Sequence, residues 1–541
     1  MPRWVTWLLG VVAALVILVV AAAAALPYLV DTPRIQAYIS ATASQTLGRA
    51  VRFSAVSLRV LPLPAVELHE LEVAEDPAFG TTPFLRLDVG RVRLRLLPLL
   101  AGRVELGDIV LRKPTVRIVQ AADGRLNIST LGATAAPRPG ARSGRSTGGA
   151  GAAGTVAVAR VVVDDGTIVY AAPGQGEAAA QYRLTDVELT LTGGGTQIGF
   201  RGDARLQPGD VELELRDGVV ALAGARPLTE AALRGTVTVD GKDVGPLAAV
   251  AMGPVPELHG EVEGTLALGG TVAAPTAAGP VTISDLTATQ DNPRCPDPRR
   301  RTLAIPTAKL DLSWQDQRLT ARPATATLAG GTVTTQLTVT FGRGVRVQMA
   351  DLVVDELPLE RVLVDYLCQG YAITGPLDLT GGLGFEARDV LGTLSGPGRL
   401  RIGSGRVVGP QALALFGSVV RVGGAVSAIL SADVPSGAVD SPLEFDSITG
   451  SYTLSNGVAT TRDLLYTSRA MKVAIAGDYA LVTGRIDLDM VVTHNRGELR
   501  AKLTGTAASP SIAVSPASVL RDIDPEKAQK GIQDLLKRFG R

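Results

Sequence analysis

Residues 85–96 read Leu-Arg-Leu-Asp-Val-Gly-Arg-Val-Arg-Leu-Arg-Leu, and their order decides the fold class. Leu85, Leu87 and Val89 alternate with Arg86 and Asp88; Val92, Leu94 and Leu96 then alternate with Arg91, Arg93 and Arg95. A period of two puts apolar side chains on one face of an extended strand and charges on the other. The phase changes at Gly90, which marks a bulge or tight bend. One apolar face and one wet face is the antiparallel habit.

The same alternation recurs along the chain. Val116 and Ile118 continue it, Asp123-Gly124 supplies turn chemistry, and Val187, Leu189 and Leu191 repeat it, as do Ile486, Leu488 and Met490 against Asp487 and Asp489. Val161–Val163, Asp165-Gly166 and Ile168–Tyr170 read as a hairpin. Helical periodicity is rare between Val51 and Pro510, which argues against βαβ units and a parallel sheet. LALGGTVAAPTAAGPVTI at 266–283 echoes AKLTGTAASPSIAVS at 501–515. Such drifting repetition suits a body that adds strand after strand, or reflects the shared composition of Gly-rich hairpins. At about 15 residues per strand, the chain past its first helix makes roughly 30 strands.

The two ends read differently. Trp4–Val30 are 27 residues without a charge, more than the roughly 20 a membrane-crossing helix needs. Arg3 before the stretch and Asp31 and Arg34 after it favour a cytoplasmic N-terminus and export of the rest. Ala21–Ala25 offers a cleavage site, but the stretch exceeds the usual ~7–15 residue signal core and favours a retained anchor. Thr32 and Pro33 open a short helix with Ile35, Ile39 and Ala43 on one face, stopping near Gly48. Asp524 and Pro525 open a closing helix with Ala528, Ile532, Leu535, Leu536 and Phe539 on one face and a basic edge. That helix either meets a membrane surface or partner, or plugs the end of the β body. The segments are therefore an anchor (1–30), an N-terminal β region (31–131), a Gly/Ala/Ser/Pro linker or loop (132–154), a middle β region (155–290), a Pro/Arg-rich loop (291–301), a C-terminal β region (302–509) and a tail (510–541).

Composition narrows the function classes. Lys and Arg number 53 against 52 Asp and Glu, and aromatics are 4%, so neither charge nor stacking points to nucleic acid. Hydrophobic residues at 46% exclude wholesale disorder. Cys295 and Cys368 are too few for a disulfide scaffold, though an oxidising compartment can join them. His69, His259 and His494 stand apart, with no pair at helical spacing for zinc. Gly235 to Lys242 misses the phosphate-loop spacing, and Asp243 stands where Ser or Thr belongs. Asp487 and Asp489 point the same way on a strand, which suits a solvated face or an acid–base pair. The expectation is no enzyme and no cofactor or metal.

Two longer stretches carry a resemblance. Residues 32–73, opening TPRIQAYISATASQTLGRAV, and residues 83–131, with a Leu-Leu-Pro-Leu-Leu-x-Gly corner (96–102) and an Asp-Gly-x-x-Asn turn (123–127), resemble the N-terminal region of the AsmA family of bacterial envelope proteins. Residues 373–409 and 503–520 resemble that family's C-terminal region. AsmA-like proteins are similar to the TamB and bridge-like lipid transfer group. The resemblance implies an inner-membrane anchor, a periplasmic body, and a long, curved antiparallel sheet whose concave face is an apolar groove. It also implies a role in phospholipid transport or outer-membrane homeostasis, with no catalytic residues. The implied partners are phospholipids, the inner membrane, and outer-membrane or periplasmic proteins.

Physical reasoning meets this independently. A sheet with one apolar face and no helical layer must close, pair with another sheet, or bury something else. Acyl chains would satisfy that face at about 0.8 kcal/mol per CH₂. The groove candidates are Val92, Leu94, Leu96, Val116, Ile118, Val187, Leu189, Leu191, Ile486, Leu488 and Met490, with Arg91, Arg93 and Arg95 toward solvent. The alternatives are that these residues face an ordinary core, and that the protein is an anchored scaffold for outer-membrane protein assembly, binding clients by strand addition.

Overall fold

The computed structural model describes residues 32–59, 65–94, 106–119, 121, 125–131, 160–171, 182–194, 196–222, 230–293, 295–342, 344–368, 373–408, 444–469, 471–494, 497–506 and 509–514. The expected membrane span (4–30), the linker (132–154), Leu96 with its corner, and the closing helix (524–539) lie outside them. Among the described residues no helix is long and apolar enough to cross a membrane. The chain is mainly β, and it divides into two units: 1–242 with 264–278, and 243–263 with 279–541.

In the first unit, helix α1 (Thr32–Leu47) ends at Gly48, whose φ of 69° gives the left-handed turn that glycine adopts freely. The strands follow as β1 (Val51–Arg52), β2 (Ala55–Arg59), β3 (Ala65–Val73), β4 (Leu85–Leu94), β5 (Leu106–Arg112), β6 (Thr115–Val119), β7 (Arg160–Ala171), β8 (Tyr182–Gly194), β9 (Gln197–Gln207), β10 (Val211–Ala221) and β11 (Ala232–Gly241). The pairs from β2 to β5 and from β7 to β11 are antiparallel. One step departs from the expectation of a wholly antiparallel sheet: β5 and β6 both lie parallel to β7. A parallel neighbour needs a connection of a dozen or more residues, and residues 120–159 supply it.

The expected hairpin at 161–170 is instead the single strand β7. Asp165 takes a left-handed φ of 57°, and the ladder to β8 shifts register on either side of Gly166. A short polar side chain tolerates that conformation, so Asp165-Gly166 makes a bulge where a turn was expected. Asp186 on β8 and Asp217 on β10 do the same. The phase change at Gly90 is present: a Cβ there would lie 3.1 Å from Leu87 Cδ2, so Leu87 and Gly90 share a side, and Glu70 on neighbouring β3 carries the positive φ. At the N-terminal edge, Val51 donates its N–H to Ser44 Oγ (2.9 Å) and accepts from Ser40 Oγ (2.5 Å), so α1 occupies that edge.

The second unit holds α2 (Gly245–Met252), a π-helix (Glu360–Tyr366) and α3 (Val390–Thr393) beside its strands. β12 (Glu257–Gly270) and β13 (Pro275–Asp291) divide between the units. Next come β14 (Arg300–Gln315), β15 (Arg318–Leu328), β16 (Gly331–Phe341), β17 (Val345–Pro358), β18 (Pro376–Glu386) and β19 (Gly396–Ile402). Then follow β20 (Gly405–Arg406), β21 (Glu444–Phe445), β22 (Ser447–Ser455), β23 (Val458–Thr467), β24 (Met471–Ala480), β25 (Arg485–His494), β26 (Gly497–Thr506) and β27 (Ser509–Val514). From β14 to β19 and on through β22 to β27 every step is antiparallel, and β20 pairs with β21 alone. The Pro/Arg-rich segment forms the β13–β14 loop, with Asp291, Arg300 and Arg301 already on the strands. Cys295 and Cys368 form a disulfide that clips this loop to the end of the π-helix segment, and Asn292 Nδ2 donates to Leu367 O (2.9 Å) beside it.

Candidate functional site

Directly paired residues on neighbouring strands share a face. In the first unit, one row of pairs runs Val56, Leu68, Gly90, Leu111, Val163, Leu189, Gly202, Leu215 and Val237, from β2 to β11. A second runs Val66, Val92, Ile109, Val161, Leu191 and Phe200. A third runs Leu85, Val116, Ile168, Leu184 and Leu206, and Ile118 pairs with Tyr170 beside it. The bulges make this possible: Leu184 and Val187 stay on one face because Asp186 adds a residue between them. Every side chain of the first two rows is half-buried, neither sealed nor open. A closed core seals its leucines and phenylalanines. Among the described residues of the first unit the sealed leucine and phenylalanine are Leu87 and Phe79, and neither belongs to these two rows.

The second unit carries comparable rows. Leu312, Ala321, Leu337, Met349 and Leu383 pair in turn, as do Trp314, Leu319, Val339, Val347 and Phe385. Apart from Ala321 these are half-buried, and the Trp314 and Phe341 rings stand 5.6 Å apart at the end of the face. Toward the C-terminus the face closes into a core in which Ile402, Phe445, Tyr466, Val473, Val492 and Leu503 pack with Leu359.

The AsmA family model matches residues 1–251. Over this stretch, just under half of the chain, the sequence is similar to the AsmA family. No curated protein and no solved structure matches the chain. The AsmA stretch contains all three rows of the first unit, whereas 373–409 and 503–520 lie beyond it.

Within the AsmA stretch the register unites Val92, Val116, Ile118, Val187, Leu189 and Leu191 on one face; Val187 is buried and the others are half-buried. Leu94 holds a register position opposite Leu106. In the second unit Ile486 and Met490 are buried inside the C-terminal core, with Leu488 packed against it, so these three serve packing there. The outer face is ionic, as Arg91 meets Glu67 (2.8 Å) and Arg93 meets Asp108 (3.4 Å). Asp487 pairs with exposed Lys502 (3.2 Å), the geometry of a solvated strand face. His69 meets Ser57 and His259 meets Asp243, and among the described residues no group of acids, histidines or cysteines gathers to hold a metal.

The AsmA stretch also holds a buried polar network that period-two reasoning missed. Arg49 and Glu75 form an ion pair at 2.9 Å with both side chains almost fully buried. Asn127, wholly buried, donates through Nδ2 to Glu75 Oε2 (2.6 Å) and Arg117 O (2.8 Å), and its Oδ1 accepts from Val119 N (3.0 Å). Arg49 donates to Asn127 O (2.6 Å) and Thr130 Oγ1 (2.9 Å) and lies 4.7 Å from the centre of the Phe84 ring. Burial pulls the Arg49 guanidinium below its ordinary value, and Glu75 and Asp76 oppose that pull. Arg117 is buried, against the expectation that the polar member of the 116–118 alternation faces water. The signal available in sequence was the Asp-Gly-x-x-Asn turn, whose last residue is Asn127.

Proposed function

We propose that the chain is a non-enzymatic, inner-membrane-anchored periplasmic protein. Its apolar sheet face binds phospholipid acyl chains and supports lipid transport between membranes or outer-membrane homeostasis. The observation carrying this reading is the row from Val56 to Val237: nine strands present one uncharged apolar line, and its side chains remain half-buried. Such a face gains about 0.8 kcal/mol for each acyl CH₂ it takes from water. Similarity to the AsmA family, the uncharged stretch at 4–30 and a disulfide suited to an oxidising compartment support the placement.

The test is native mass spectrometry with lipid extraction on the full chain in mild detergent. Leu189→Asp puts a carboxylate between Val163 and Gly202 and is expected to remove co-purifying phospholipid while the circular dichroism spectrum persists. A folded, lipid-free wild type would refute the reading. It would favour the anchored scaffold, for which β27, paired with β26 on one side among the described residues, offers an edge to a client strand.

A further inference from the structure

Arg301 stands at the start of β14, two residues before Leu303 and four before Ile305, so alternation sets it on their face of the strand. Its neighbour Thr302 faces the other way, with Oγ1 2.9 Å from Thr289 Oγ1. None of the apolar rows described above carries a charge, whereas Arg301 brings one to the face of β14 that holds Leu303 and Ile305. The adjacent arginines are matched: Arg300 with Glu257, and Arg299 with Asp297 at 3.6 Å. Arg301 is half-buried and has no acidic partner among the described residues; its Nη2 donates to Pro296 O (3.1 Å), and its Nε is buried without a hydrogen-bond partner. The carbonyl it touches belongs to the loop that the Cys295–Cys368 disulfide and the Asn292 bond to Leu367 hold in place.

A guanidinium offers five donors in a planar fork that matches two oxygens of a phosphate, and among the described residues only one is used. Leaving a partly desolvated cation unmatched is unfavourable, so the site is built for an anion that arrives with the cargo. We infer that Arg301 binds the phosphate of a lipid headgroup in the second unit, while that lipid's chains lie along Leu303 and Ile305 on the same face of β14. This rests on the lipid-binding reading above and adds a headgroup preference to it.

The test uses the full chain in mild detergent with two fluorescent probes of identical acyl chains, phosphatidylglycerol and diacylglycerol. Wild type is expected to prefer phosphatidylglycerol, and Arg301→Gln to reduce that preference about tenfold, the scale of one hydrogen-bonded charge; Arg301→Lys keeps part of it. Excess inorganic phosphate that competes with phosphatidylglycerol but not diacylglycerol marks a site for phosphate in general; failure to compete marks one that needs the whole lipid, and either outcome agrees with the assignment. Equal preference in wild type and folded Arg301→Gln overturns the assignment and leaves the groove reading standing. Failure of both probes to bind wild type overturns both.

Discussion

Asn127 is the residue whose loss the structure makes most consequential for the first unit. Asn127→Ala removes three bonds from a site without water contact: one from the Val119 N–H, one to the Arg117 carbonyl and one to the Glu75 carboxylate. At roughly 1 kcal/mol for each neutral bond and about 1.5–3 for the charged one, the loss is near 4 kcal/mol. That is a large share of the ~5–15 kcal/mol stabilising a typical domain. Asn127→Asp separates hydrogen bonding from shape, because it sets a carboxylate against Glu75 Oε2, which now lies 2.6 Å from Nδ2. Two carboxylates so close must share a proton, so one has a folded pKa raised above its unfolded value. Stability tied to a raised pKa is present below the unfolded pKa and is lost as pH rises through the folded one. Asn127→Asp should therefore be more stable near pH 5 than near pH 8, a difference that Asn127→Ala should lack. Urea unfolding of the full chain, with hydrogen exchange read at the Val119 amide, measures both. An Asn127→Asp protein as stable as wild type near pH 8, with Val119 still protected, would refute the network as drawn.

Two further outcomes follow from the second unit. The disulfide joins residues 73 apart, a loop length worth about 2–4 kcal/mol, so joint Cys295→Ser and Cys368→Ser substitution should lower the urea midpoint. Dithiothreitol should lower wild type to the same level and leave the double variant unmoved; a wild type indifferent to the reductant contradicts this. Burial raises the phenol pKa of both Tyr452 and Tyr466, which favours their neutral forms in the folded chain. Stability should hold up to about pH 10 and fall above it, where the unfolded chain releases phenol protons first. Tyr452→Phe and Tyr466→Phe should flatten that fall in thermal melts, and an unchanged slope would count against their burial.

Alternation at 85–96 sufficed for the fold class because period two survives in any sheet with one wet face. It also found much of the apolar face, since residues read separately as inward, such as Val92 and Leu191, become linked through Ile109 and Val161. Local reading failed where one residue has two conformational uses: Asp165-Gly166 suits a tight turn and a left-handed bulge equally, and only pairing with β6 and β8 selects the bulge. The buried network was illegible because Arg49 and Asn127 are 78 residues apart, and no periodicity relates them. Ile486 and Met490 have the same pattern as Leu189 but a different environment, because burial depends on what covers a strand and alternation does not record it.

The two serines of α1 that bind both backbone groups of Val51 have a consequence beyond holding a helix in place. In the language of polymer growth they are a chain terminator, occupying the hydrogen-bonding sites through which a further strand would propagate the sheet. A second copy, a misfolded neighbour or a client strand finds the backbone groups of Val51 already taken. Strand pairing is thus closed at Val51, while β2, paired with β3 on one side among the described residues, is not capped by these bonds.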